Sequence, residues 1–128
     1  MIFESIHHIE IIGRNYNKTK EFYIEKLGFE IISEHHRVDK NDIIINVEKE
    51  NVVLEIFIKE DAPLRPPIPN PENTGLRHLA FKVKDVEKTL EEFDSLKIVH
   101  QGLRYDDFDG KKMAFFFDPD GLPLEIHE

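Results

Sequence analysis

Apolar and polar residues alternate with the two-residue period of a β-strand along much of this chain. The stretches IHHIEII (6–12) and LRHLAFKV (76–83) each carry a histidine in an apolar, β-branched or aromatic run, and each is predicted to be a strand. A helical pattern follows each of them. Over residues 17–27, Phe22, Tyr23 and Leu27 fall on one side, and Gly28 stands where a helix would end. In the second case Asp85 is placed to cap a helix on which Val86, Leu90 and Phe93 recur at helical spacing. Three further strands are predicted after each helix: FEIISEHHRV, DIIINV and NVVLEIFI, then KIVHQGLR, KKMAFFF and LPLEIHE. The turn signals KEN and DPDG precede the last strand of each set. The pattern is therefore β-α-β-β-β, written twice.

Five of the seven prolines, Pro63, Pro66, Pro67, Pro69 and Pro71, lie in residues 59–75. Proline removes a donor and fixes φ, so this stretch is predicted to be a semi-extended linker between halves 1–58 and 76–128 of a single 1–128 domain. The repeat is visible in particular residues. His78 follows His8 by 70 positions and Glu125 follows Glu55 by 70, while each glutamate lies 47 positions after its histidine. Duplication explains matching core residues; a matching His and a matching Glu need a further reason.

Alternation assigns the faces. Ile9 and Ile11 oppose His8, Glu10 and Ile12, and Leu54, Ile56 and Ile58 oppose Val53, Glu55 and Phe57. Leu79, Phe81 and Val83 oppose His78, Ala80 and Lys82, and Leu124 and Ile126 oppose Glu125. With the aliphatic face carrying the helix, His8, Glu55, His78 and Glu125 are expected on the other, concave face. A carboxylate inside VVLEIFI is costly unless it is paired or bound to a cation. Two imidazoles and two carboxylates make a divalent metal site, and the donor set favours zinc or nickel, with cobalt, manganese or iron also suited, over calcium.

Composition removes other chemistry. There are no cysteines, so disulfides, thiolate nucleophiles and thiolate metal sites are impossible. The 26 acidic residues outweigh 17 basic ones, for a net charge of −9, which argues against nucleic acid and anionic membranes as partners. No apolar run reaches the ~20 residues of a membrane span. The first residues lack a signal-peptide pattern, which points to the cytoplasm.

The chain resembles the vicinal oxygen chelate superfamily, the group of glyoxalase I, bleomycin-resistance proteins and type I extradiol dioxygenases. The resemblance rests on HHIEI, KEFYIEKLGF, VVLEIF, LRHLAF and the closing FFFDPDGLPLEIHE, and covers nearly the whole chain. It implies an α+β fold in which two βαβββ modules form an open, mixed-sheet barrel around a metal. It implies ligands at His8, Glu55, His78 and Glu125, most similar to glyoxalase I, with Glu125 as the leading catalytic base and Glu55 as its symmetric alternative. A lyase or isomerase acting on a small α-oxygenated carbonyl compound follows, the hemithioacetal of methylglyoxal with a thiol being one such substrate. It also implies a homodimer, in which the N-terminal module of one chain completes a barrel with the C-terminal module of its partner. An extradiol-type dioxygenase and a non-catalytic small-molecule-binding resistance protein are the alternatives. Ile12 stands where glyoxalase I carries an arginine for glutathione, so the resemblance does not extend to glutathione as the thiol. Glu10 has no counterpart in the second half, where Ala80 stands, and is a candidate second base or substrate-orienting group, or else a solvated rim carboxylate.

Other residues read more simply. His7, His35 and His36 are expected to be structural or exposed, His100 to lie on the surface, and His127 to reach the rim of the site near a fraying end. Phe115, Phe116 and Phe117 form a buried strand with one or two rings free to line a pocket. Arg104 and Lys111 are candidates for a substrate anion. The run YDDFDG is a loop without EF-hand spacing.

Overall fold

The computed structural model describes residues 1–128, which divide into two compact units, Met1–Pro63 and Leu64–Glu128. In the first unit β1 (Ile9–Gly13) leads into α1 (Tyr16–Lys20), and β2 (Glu30–Arg37), β3 (Asp42–Lys49) and β4 (Val52–Ile58) follow. In the second, β5 (Leu79–Lys82) precedes α2 (Val86–Ser95), then β6 (Arg104–Tyr105), β7 (Lys112–Phe117) and β8 (Pro123–His127). Each unit holds one four-stranded mixed sheet, ordered β1-β4-β3-β2 and β5-β8-β7-β6. The first strand of each unit pairs in parallel with the last, and the remaining pairs are antiparallel. The duplication extends to register: Ile9 stands opposite Leu54, and Leu79 opposite Leu124. No helix is long and apolar enough to cross a membrane.

The helix of each unit covers the aliphatic face. Ile11, Ile45, Val47, Leu54, Ile56 and Ile58 are buried in the first unit with Phe22, Tyr23 and Phe29. Ala114, Phe116, Leu124 and Ile126 are buried in the second with Val86, Leu90 and Phe93. The α2 N-terminus is capped twice: Asp85 Oδ1 accepts from the Lys88 N–H at 3.0 Å, and Glu128 Oε1 accepts from the Val86 N–H at 3.0 Å. Together they satisfy two of the donors that a helix start leaves free. The Glu128 N–H also reaches the Lys112 carbonyl, so the chain after β8 is tied down and not frayed.

Two predicted elements differ. The helix over 17–27 begins as α1 but continues as a π-helix over Glu21–Lys26, before Gly28 takes φ +77° and the Phe29 N–H returns to the Tyr23 carbonyl. The wider winding lets the adjacent Phe22 and Tyr23 both enter the core, with ring centroids 4.9 Å apart. The strand predicted over 97–104 shrinks to Arg104–Tyr105 and a lone bridge from His100 to Phe116. Lys97 at φ +56° and Gly102 at φ +82° turn the chain out of the extended conformation there.

In the first unit, Arg37 grips Asp42 with two N–H bonds of 2.7 and 2.6 Å, and this holds the Asp42 carboxyl below its usual range. A depressed carboxyl contributes stability that is present above the unfolded value, ~4, and is lost as pH falls through the folded one. Asp42→Asn should therefore lower the urea midpoint at pH 7, and the gap from wild type should narrow progressively once the pH drops below ~4. A gap that stays constant into acid would show that the ion pair is not its source.

Candidate metal and substrate site

Both histidines sit one residue ahead of the first strand of their unit, His8 before β1 and His78 before β5. Each leans along the parallel neighbour toward a glutamate. His8 Nε2 lies 3.3 Å from Glu55 Oε2, and His78 Nε2 lies 2.6 Å from Glu125 Oε2. The second pair is the more covered, and Glu125 is 6% exposed. In both units the pair occupies the face opposite the helix. Structure thus brings His8 to Glu55 and His78 to Glu125 within the respective units.

The donor spacing fits a divalent ion. Two atoms bound ~2.1 Å from one ion lie roughly 3.0–3.4 Å apart at octahedral or tetrahedral angles. The His8–Glu55 separation of 3.3 Å falls in that range, while His78 and Glu125 at 2.6 Å are in direct ion-pair contact and would open by about half an ångström to share an ion. The other His8 nitrogen, Nδ1, lies 2.8 Å from His7 Nδ1, so His7 flanks the imidazole. Glu10 stands directly opposite Glu55 in the β1–β4 register and is exposed. Like charges on one face repel, which a bound cation would relieve.

In the second unit Asp106, which the sequence does not single out, joins Glu125 and His127. Donor atoms of Asp106, Glu125 and His127 all lie within 4.8 Å of one another. His127 Nδ1 donates to the backbone oxygen of Glu128 at 2.8 Å, and this bond is the main cause raising its pKa. Its Nε2 is thereby turned to Asp106 Oδ2 at 3.7 Å and Asp109 Oδ2 at 3.4 Å. Asp106 Oδ1 accepts the N–H groups of Phe108 and Asp109, which lowers its pKa and makes YDDFDG a side-chain-pinned turn. The i, i+2 spacing of Glu125 and His127 signalled a shared face; Asp106 had no signal short of the fold.

The remaining candidates separate cleanly. His36 points to Glu34 at 3.4 Å, where Tyr16 also donates at 2.7 Å. His35 is exposed, opposite Ile44. His100 is not a free surface residue: its Nε2 meets Asp94 at 2.8 Å and its Nδ1 accepts the Gly102 N–H at 3.0 Å, which holds the irregular 97–103 segment. Lys111 is exposed on a turn, while Arg104 lines a cavity of about 110 Å³ with Arg77, His78, Gln101, Phe115 and Phe117. Phe116 faces α2; Phe115 and Phe117 face the cavity.

This chain is 42% identical over 129 residues to the uncharacterized protein YwkD of Bacillus subtilis, covering 100% of this chain and 99% of that one. The crystal structure of a glyoxalase family protein from Enterococcus faecalis matches with a TM-score of 0.91 and 53% identity, covering both chains fully. FosX, a fosfomycin resistance protein from Listeria monocytogenes, shares the fold at a TM-score of 0.76 and 18% identity, covering 98% of this chain and 93% of that one. That FosX structure is of a variant in complex with Mn(II) and a dihydroxypropylphosphonic acid. The family model described as the Glyoxalase/Bleomycin resistance protein/Dioxygenase superfamily matches residues 5–126. With paired βαβββ units, a shared strand register and a His–Glu pair at the same place in each, the chain belongs to that superfamily.

Proposed function

We propose that the protein is a metal-dependent lyase or isomerase of the glyoxalase I type, acting on a small α-oxygenated carbonyl compound. The observation that carries this reading is the His–Glu pair repeated on the face opposite the helix in both units, 3.3 Å apart in the first and 2.6 Å in the second. Its ligands are His8, Glu55, His78 and Glu125, and the donor set suits zinc or nickel best, with manganese, cobalt or iron also accommodated. When bound, the ion supplies Lewis-acid polarisation of the substrate oxygens. The carbon-bound proton beside the carbonyl passes to a carboxylate. Glu125 leads for that role because it is buried and oriented by His78, with Glu55 its repeat equivalent and Glu10 adjacent to Glu55. That FosX binds Mn(II) supports a divalent ion in a chain of this fold.

A metal held instead by Asp106, Glu125 and His127 is the second reading, favoured by their clustering. Metal titration by calorimetry separates the two. Under the first, His78→Ala loses most of the affinity and Asp106→Asn little; the reverse result would transfer the ion to the second set. Oxygen uptake on a catechol would favour a dioxygenase, and a protein that takes up no metal under any condition would be a binding protein.

A homodimer is part of the proposal, since each four-stranded sheet leaves two edge strands and such edges need covering. Light scattering gives the mass. Mixing a His8→Ala chain with a Glu125→Gln chain then tests the site: metal binding regained on mixing places the two pairs of one centre on different chains, and its failure to return places them on the same chain.

A further inference from the structure

We propose that the cavity beside His78 receives a carboxylate of the substrate, bound by Arg104, so that the substrate is a compact 2-oxo or 2-hydroxy acid. The inference rests on the lyase or isomerase reading above and names the substrate class for it. Arg104 stands opposite Met113 in the β6–β7 register, and Phe115 stands opposite Glu125 in the β7–β8 register. Side chains directly opposite share a face, so Arg104, Phe115 and Glu125 all project to the side away from α2. The Arg104 guanidinium lies over the Phe115 ring, 5.5 Å from its centroid, and the His78 ring meets the same phenyl edge-on at 5.1 Å. One aromatic ring is thus a common wall between the arginine and the metal-site histidine.

Arg104 forms no ion pair, although acidic residues outnumber basic ones in this chain. The other arginine of the cavity, Arg77, is held by Glu72 at 2.6 Å, as Arg37 is held by Asp42. The ring contact leaves the Arg104 N–H groups without a carboxylate partner, and such a guanidinium binds an incoming carboxylate with two parallel bonds. The chain takes trouble to place it. Gly102 at φ +82° breaks the strand, the Gln101 N–H bonds the Phe115 carbonyl at 2.9 Å, and the Asp106 N–H bonds the Lys111 carbonyl at 2.8 Å. Between these anchors, Gln101 and Arg104 both reach the cavity. A cavity of about 110 Å³ is well above the ~10–15 Å³ that a single water requires. It takes a carboxylate and the carbon attached to it, with the α-oxygen toward His78.

Pyruvate serves as the probe, and its neutral methyl ester as the control, in calorimetric or NMR titrations of the metal-loaded and the chelator-treated protein. Pyruvate should bind both forms, and Arg104→Gln should weaken it about 10–100-fold, the loss of a charge-assisted bond. Arg104→Lys should recover only part, because an ammonium cannot make the paired bonds. The ester should bind no better than pyruvate binds to Arg104→Gln. Arg104 is exposed, so its variants fold, and their metal titration should match wild type. Equal pyruvate affinity in wild type and Arg104→Gln, equal affinity for acid and ester, or no pyruvate binding at all would each overturn the inference. So would pyruvate binding that chelation abolishes and Arg104→Gln leaves intact, since the carboxylate would then sit on the ion. Failure of the metal reading shows separately, as absent metal uptake by a protein that still binds pyruvate through Arg104.

Discussion

Phe116→Ala should destabilise the second unit by about 3–5 kcal/mol, the usual cost of emptying a phenyl from a packed core. Phe116 is 1% exposed in the middle of β7, directly opposite Leu124. Its ring lies 4.8 Å from that of Phe93 on α2 and 6.4 Å from that of Phe81 on β5. It therefore joins the helix to β8 and to the edge strand β5. Against a total stability of about 5–15 kcal/mol, the loss takes a large share. Urea denaturation followed by circular dichroism should show a lower midpoint at an unchanged slope. Phe115→Ala is the comparison. That ring is half-buried on the opposite face, so its loss should cost less stability while removing the wall under Arg104. Equal costs for the two phenylalanines would mean that β7 is packed on both sides, contrary to the face assignment.

The face assignment was legible from alternation alone. VVLEIFI places every second residue in a core, and the observed burial of Leu54, Ile56 and Ile58 follows that period; in KKMAFFF Ala114 and Phe116 follow it, and Met113 is buried on the other face. The fold family was legible too, because the His and Glu spacings repeat where a core does not need them. Alternation does not say where a strand stops. KIVHQGLR is as apolar as its repeat equivalent, yet left-handed φ at Lys97 and Gly102 takes it out of the sheet. The π-helical winding after α1 was hidden for a similar reason: Phe22 and Tyr23 suit an α-helix until both must enter one core. Partners far apart in sequence were invisible. Glu128 caps α2 from 42 positions away, and Asp106 comes to Glu125 and His127 only through the β6–β7 connection. His100 was misjudged because its partners, Asp94 and the Gly102 N–H, are set by the irregular segment itself.

Glu125→Gln should remove most of the stabilisation that a bound ion confers. An ion that binds only the folded chain stabilises it by RT ln(1 + [L]/Kd), which is ~4 kcal/mol when the free metal stands a thousandfold above Kd. For a chain of 128 residues that corresponds to a rise in Tm on the order of 10 °C. Glutamine keeps the shape of the side chain but gives up the negative charge, and a neutral amide is a poor ligand for a divalent ion. The metal-free variant should remain folded. Its buried group is neutral, which relieves the cost of keeping a carboxylate at 6% exposure near Asp106 and offsets the lost charge-assisted bond to His78. Thermal unfolding with excess zinc or nickel, and again with chelator, gives the gap for each protein. A wide gap in wild type and a narrow one in Glu125→Gln, with similar chelated baselines, is the expected pattern. An undiminished gap in the variant would take Glu125 out of the ligand set, and the absence of any gap in wild type would take the metal out of the reading altogether.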